Sequence, residues 1–139
     1  MAHKIRDIMT GSPVCVAPDT DLGSVARRMR DDDIGAVLVT EGDELRGLVT
    51  DRDLVVRCMA EGGDPSSTRV ADVASGAEAT VGPDDDLGKA VSLMRDRSVR
   101  RLPVVENGRP VGIVSIGDLA MERDERSALA DISAARPNR

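Results

Sequence analysis

Two four-residue stretches carry the side chains best placed for chemistry. In "GLVTDRDL" (Gly47 to Leu54), Thr50 and Asp53 stand three residues apart where an apolar run gives way to a helical pattern. In "GIVSIGDL" (Gly112 to Leu119), Ser115 and Asp118 repeat the arrangement. A hydroxyl at a helix N-cap and a carboxylate three residues on form a capping box, in which each side chain satisfies a backbone N–H at the helix start. The same geometry suits a ligand. The exposed N–H groups and positive dipole end of a helix receive phosphate, the hydroxyl bonds a phosphate or ribose oxygen, and the carboxylate accepts from ribose hydroxyls. Gly47 and Gly112 leave room for either a ligand or a neighbouring backbone. Cap and ligand grip are compatible, and the four residues alone do not choose between them.

Other chemistries find little support. His3 is the only histidine and sits at the chain terminus, so neither a Ser-His-Asp nor a Cys-His arrangement is available in the interior. No His/Cys cluster has metal-ligand spacing, and the acids are not set in pairs for acid–base work. Cys15 and Cys58 form no CxxC motif; a reduced, cytoplasmic setting is the default, with a bridge between them left open. The chain contains no Phe, Trp or Tyr, which removes the stacking platforms of single-stranded nucleic-acid binders. Its net charge of −6 argues against a general phosphate-backbone binder. The N-terminus "MAHKIRDIMT" lacks the apolar run of a signal peptide, and no segment approaches the roughly 18 apolar residues of a membrane span.

The elements that must position Thr50, Asp53, Ser115 and Asp118 are written twice. A shift of 65 residues carries Gly47 onto Gly112, "APDTDLGSVARRMRD" onto "GPDDDLGKAVSLMRD" and "IRDIMTG" onto "VADVASG" without a gap. Roughly a third of the aligned positions are identical, which marks two tandem units. Each unit reads β-α-β-β-α. A short extended piece ("PVCVA", "EATVG") precedes a helix opened by Pro-Asp-x-Asp, whose apolar stripe is Leu22, Val25, Ala26 and Met29, then Leu87, Ala90, Val91 and Met94. Two strands follow, "AVLVT" with "LRGLVT" and "LPVV" with "VGIVS", the second pair joined by Asn107-Gly108. Their near-continuous apolar character implies cover on both faces. A second helix closes each unit, carrying the stripe Leu54, Val55, Cys58 and Met59 in the first, which serves as core or as a contact for another chain. The expected domains are residues 5–63, a linker at 64–69 within the Gly-Pro-Ser-rich "EGGDPSST", residues 70–125, and a C-terminal helical extension and tail at 126–139.

Two tandem units with G-x-x-[T/S]-x-x-D at the last strand-to-helix turn, "IRDIMT" at the start, "P-D-x-D-L" at the helix start and "VRRLPVV" before the second strand resemble a pair of cystathionine-β-synthase-type (CBS) domains, a Bateman module, and in particular bacterial stand-alone pairs. The resemblance covers Ile5 to about Arg123. It implies an α+β fold with two β-α-β-β-α repeats packed about a pseudo-two-fold axis, and two clefts that bind an adenosine-containing ligand: AMP, ADP or ATP, alternatively S-adenosylmethionine or NAD(H). Carried onto this chain, the first cleft takes Thr50, Arg52, Asp53, Ala79, Val99, Arg100, Arg101 and Pro103. The second takes Val14, Ile34, Gly35, Ala36, Leu38, Ser115 and Asp118. The first gathers arginines suited to phosphate; the second has Gly35 and Ala36 where the first has Arg100 and Arg101. The implied protein is a non-catalytic sensor without a required cofactor. It is a homodimer joined through helices, which signals to an unnamed partner and binds neither nucleic acid nor membrane. The competing readings are an interaction module with empty clefts and an enzyme with weak nucleotide chemistry.

Overall fold

Each half of the sequence carries enough apolar residues for one small sheet covered by helices, and the computed structural model, which describes residues 4–123, folds into two compact units. Strands β1 (Thr10–Gly11) and β2 (Cys15–Val16) lead to helix α1 (Leu22–Asp32), strands β3 (Ala36–Glu41) and β4 (Glu44–Thr50) and helix α2 (Asp51–Leu54), which continues into a π-helical turn over Val55–Met59. Strand β5 (Ser75–Gly76), helix α3 (Leu87–Arg97), strands β6 (Arg101–Glu106) and β7 (Arg109–Ser115) and helix α4 (Ile116–Arg123) complete the described chain. The expected extension at 126–139 and His3 lie outside the described residues.

The local reasons for these elements are those read from the sequence. Asp21 caps α1, its carboxylate accepting from Ser24 N at 2.9 Å and Ser24 Oγ at 2.7 Å, and these donors hold it below the usual carboxylate range. Leu22, Val25 and Met29 of the α1 stripe are buried, while Ala26 is exposed, an alanine being cheap in either place. Asn107 and Gly108 both take positive φ (53° and 80°), as a two-residue hairpin of this hand requires. The strands differ from expectation in their cover. Ala36–Val39 of β3 and Leu102–Val104 of β6 are buried throughout, whereas β4 and β7 alternate, with only every second residue fully enclosed. The stretch "EATVG" forms no strand; Val81 alone bridges to Val104. The "LVVRCM" stripe divides: Leu54 and Cys58 join the core, and Val55 and Met59 face outward. Both cysteines are free thiols.

The two compact units are not the two sequence repeats. One unit is Val14–Ala77; the other is built from the chain up to Pro13 together with the chain from Glu78 onward. The arm that heads the first repeat thus packs with the elements of the second. Ile5 is fully buried there, Ile5 N and Arg6 N donate to Asp85 O and Pro83 O at 3.0 and 2.8 Å, and β1 pairs antiparallel with β7. Reciprocally, Val70 is fully buried among residues of the first repeat, its N–H donating to Thr20 O at 2.7 Å, and β5 pairs antiparallel with β4. The sheets are accordingly β1-β7-β6 and β2-β3-β4-β5. The linker is tied down as well: Pro65 O and Thr68 O accept from Gly23 N and Leu22 N, satisfying donors at the start of α1.

The exchanged arms explain the glycines of the G-x-x-[T/S]-x-x-D pattern. Gly47 lies opposite Gly76, and a Cβ placed on Gly47 would stand 2.5 Å from Ser75 O. A Cβ on Gly112 would stand 2.8 Å from Thr10 O and 2.7 Å from Met9 Sδ. Of the two uses open in the sequence, the close approach of a neighbouring backbone is the one these positions serve. Gly47→Ala and Gly112→Ala are each expected to lower stability by about 1–3 kcal/mol, since backbone atoms must move. Gly88→Ala, in α3 with open space around it, should instead gain about 0.5–1 kcal/mol. Urea unfolding of the three variants checks both; a neutral Gly47→Ala would remove the constraint.

Candidate functional site

The alternating strands β4 and β7 each deliver a hydroxyl to the first position of a helix. Thr50, extended at φ −116° and ψ 164°, is the N-cap of α2. Its Oγ1 accepts from Asp53 N at 3.2 Å, and its own N–H donates to Asp53 Oδ2 at 2.8 Å. Ser115 and Asp118 repeat the box: Ser115 N donates to Asp118 Oδ2 at 2.8 Å and Asp118 N to Ser115 Oγ at 3.2 Å. The capping read from the sequence is therefore present in both repeats. In each box one carboxylate oxygen is already engaged by backbone, which fixes the orientation of the other. The arrangement can orient a hydroxyl-bearing ligand.

The two carboxylates differ in their surroundings. Asp53 Oδ1 lies 3.7 Å from Arg57 Nε, one helical turn on, and Arg57 also donates from Nη1 to Val73 O at 3.2 Å. Arg57 escaped the sequence reading, although its i,i+4 spacing from Asp53 was a signal for it. The corresponding position after Asp118 is Glu122. Burial pushes the Asp118 carboxyl up from its usual range, against the opposing pull of the Ser115 N–H and hydroxyl.

Within the unit Val14–Ala77, Gly35 O accepts from Asp51 N at 3.0 Å and Ala36 is paired with Thr50, so the segment that enters β3 lies beside the α2 cap. Val14 O accepts from Leu38 N; Leu38 is fully buried and Ile34 half-buried against the core. The other unit repeats the plan. Arg100 O accepts from Ile116 N at 2.9 Å, Arg101 is paired with Ser115, buried Pro103 gives its carbonyl to Val81 N, Ala79 packs against the core and Val99 is exposed. Of the first expected residue set, Thr50, Arg52 and Asp53 belong to one unit and Ala79, Val99, Arg100, Arg101 and Pro103 to the other; the second set is divided in the same way. Inside each unit the structure joins half of one set to half of the other.

The arginines are notable for what they lack. Among the described residues, Arg6, Arg28, Arg46 and Arg57 reach carboxylates, whereas the side chains of Arg52, Arg100 and Arg101 take part in no salt bridge or hydrogen bond. Arg101 is half-buried at the mouth of β6. No three His, Cys, Asp or Glu side chains are gathered for a metal among the described residues, and no helix there is long and apolar enough to cross a membrane.

Two predictions follow from the caps. Thr50→Ala removes the acceptor for Asp53 N and should cost about 0.5–2 kcal/mol in urea unfolding. Asp118→Asn keeps an acceptor for Ser115 N but no longer titrates. Because the folded carboxyl is raised, its contribution to stability is complete below the unfolded value of about 3.9 and declines as pH rises through the folded one. Wild type should therefore lose stability relative to Asp118→Asn as pH is raised from about 4 towards neutrality, read from melting temperatures across that range. A constant difference would contradict the burial of this carboxyl.

Comparison with known proteins gives the arrangement its family. The CBS domain family matches twice, at residues 5–59 and 70–125. The CBS domain-containing protein YhcV of Bacillus subtilis is 36% identical over 133 residues, spanning 93% of this chain and 94% of the relative. Uncharacterized protein MK0525 of Methanopyrus kandleri is 40% identical over 116 residues, 82% of this chain, which spans 57% of that relative's length. The crystal structure of Hypoxic Response Protein I with two coordinated zinc ions superposes with a TM-score of 0.76 at 35% identity, covering 84% of this chain and 96% of that one. The twice-repeated motifs and both family matches converge: the chain belongs to the CBS-domain family and carries the domain twice in tandem.

Proposed function

We propose that this CBS pair is a non-catalytic regulatory module that senses a phosphorylated adenine nucleotide and passes its occupancy to a partner protein. The observation that carries this reading is that the guanidinium groups of Arg52, beside the Asp53 cap, and of Arg100 and Arg101, beside the Ser115 cap, have no protein counter-charge among the described residues, while both caps hold oriented carboxylates. Guanidinium forks suit phosphate oxygens, and a carboxylate fixed by a backbone N–H suits ribose hydroxyls. The set Thr50, Arg52, Asp53, Ala79, Val99, Arg100, Arg101 and Pro103 forms the preferred site. The other expected set groups Ser115 and Asp118 with Gly35 and Ala36 instead of arginines, although within their own unit Arg101 is paired with Ser115; in this reading it accepts a less charged adenosyl group such as S-adenosylmethionine or the adenosine of NAD(H), or stays empty as a cap.

Regulation in this reading is linkage: a ligand that prefers one arrangement of the two repeats shifts the population towards it, by no more than its differential affinity. A second copy of the chain is the first partner, as the family resemblance implies, and the regulated protein is a further one. A catalytic alternative is met by incubating ATP with the protein and assaying ADP and AMP, which this reading expects to be absent.

Thermal shift with AMP, ADP, ATP, S-adenosylmethionine and NADH is expected to raise the melting temperature most with a phosphorylated nucleotide. By calorimetry, Asp53→Ala and Arg101→Ala should each weaken that nucleotide at least tenfold, about 1.4 kcal/mol. Asp118→Ala loses an equivalent cap and should leave the affinity near wild type. Unchanged affinity in Asp53→Ala, or no shift with any ligand, leaves the interaction-module alternative.

A further inference from the structure

The two exchanged arms are built alike but held differently. Each carries one short helical turn, Ile5–Asp7 in one and Val70–Asp72 in the other. The residue after each turn takes the same backbone, φ −121° and ψ −15° at Ile8, φ −120° and ψ −10° at Val73. In the unit Val14–Ala77 the Val73 carbonyl accepts a hydrogen bond from Arg57 Nη1 at 3.2 Å. The same guanidinium places Nε 3.7 Å from Asp53 Oδ1. In the second repeat the position of Arg57 is taken by Glu122, and an ionised carboxylate has no proton to offer a carbonyl.

One guanidinium thus joins the site acid to the arm, and the geometry makes the join sensitive to what Asp53 binds. Asp53 Oδ2 already accepts from Thr50 N at 2.8 Å and Thr50 Oγ1 at 3.1 Å. Oδ1 is the oxygen left for a ligand, and it is also the one that faces Arg57. The Asp53 side chain is 14% exposed and that of Arg57 52%, so the acid is enclosed while the arginine has room to turn. At 3.7 Å the pair is ionic rather than hydrogen-bonded, so a hydroxyl arriving at Oδ1 competes with it. Beyond Val73 the arm pairs Ser75 and Gly76 with Leu48 and Gly47 of β4, and the chain leaves the unit at Ala77.

We infer that Arg57 is a positioning residue that ties the state of Asp53 Oδ1 to the arm at Val73. With Oδ1 open, the ion pair holds the guanidinium between acid and arm, and Nη1 anchors the Val73 carbonyl. With Oδ1 taken by ligand hydroxyls, Arg57 is held less well and the anchor weakens. The coupling is a property of the ligand-free chain; its use in signalling rests on the nucleotide reading above and gives that reading an output that starts at one side chain. The second repeat, with Glu122 at this position, cannot make the same tie, so the two acids report differently.

Amide hydrogen exchange at residues 73–76 of the full chain tests the coupling, first without ligand. Arg57→Met keeps an apolar stem, removes every donor and should quicken exchange there roughly twofold to tenfold, the range open to the loss of one hydrogen bond. Asp53→Asn keeps an acceptor for Thr50 N and removes the anion. It should quicken the same amides, and add nothing further when Arg57→Met is already present. Thr50→Ala weakens the cap but leaves the Asp53–Arg57 pair, and should leave these amides near wild type. Additive effects in the double variant, an unaltered arm in Asp53→Asn, or an equal response to Thr50→Ala each overturns the proposal. ATP is then added at concentrations that saturate each protein by calorimetry. The wild-type arm should quicken, and that of Arg57→Met should not change further. ATP binding without a change in the wild-type arm, or a change that survives in Arg57→Met, also overturns the proposal. If wild type does not bind ATP, the nucleotide reading fails and the ligand-free variants decide the coupling alone; they also decide it if only Arg57→Met fails to bind.

Discussion

The backbone-to-backbone approach at Gly47 and Gly112 is the constraint on which both sheets depend. Each glycine sits in the strand that ends in a capping hydroxyl, and each is crossed by an arm from the other end of its unit. With a side chain there, β5 would be pushed from β4 and β1 from β7, loosening the arms that bury Ile5 and Val70. Those two residues are among the largest fully enclosed side chains, and full burial of such a side chain is worth about 1.5–3 kcal/mol. The cores they complete contain no aromatic residue, so aliphatic packing has no large ring to fall back on.

A second economy follows at the strand ends. The atoms that could greet a ligand are also those that start α2 and α4. Because Asp53 and Asp118 each spend one oxygen on a backbone N–H, the remaining oxygen points in a direction set before any ligand arrives. Preorganisation of this kind reduces the ordering cost of binding. It also means that a substitution at either acid disturbs helix and site together, so the effect on affinity is interpretable only beside an equivalent cap that the ligand does not use. The difference between the acids, an arginine one turn on from Asp53 and Glu122 at the same place after Asp118, is the asymmetry from which unequal roles for the two repeats can grow.

Much of the architecture was legible in the sequence because the repeat is ungapped. Two copies of Thr/Ser-x-x-Asp, Asn107-Gly108 and the Leu22, Val25, Met29 stripe each carry their own local physics, and each is found as expected. What stayed hidden is non-local. "IRDIMTG" and "VADVASG" are alike, so no pattern within a repeat says which sheet each arm joins. The glycines were open to ligand or backbone for the same reason. The split of Leu54, Val55, Cys58 and Met59 between core and surface came from a π turn, a change of helical phase that a 3.6-residue period does not contain. The candidate residues were placed by resemblance, which drew each set from both repeats; none lies in an exchanged arm, so their distribution over two units follows the repeats themselves.

That exchange also has a bearing on how the chain is made. The unit Val14–Ala77 has all its parts once residue 77 has left the ribosome, whereas the arm that buries Ile5 must wait for β7, more than a hundred residues later. During vectorial synthesis Ile5 thus emerges well before the strand it packs with. The order of completion runs opposite to the order of translation for one half of the molecule.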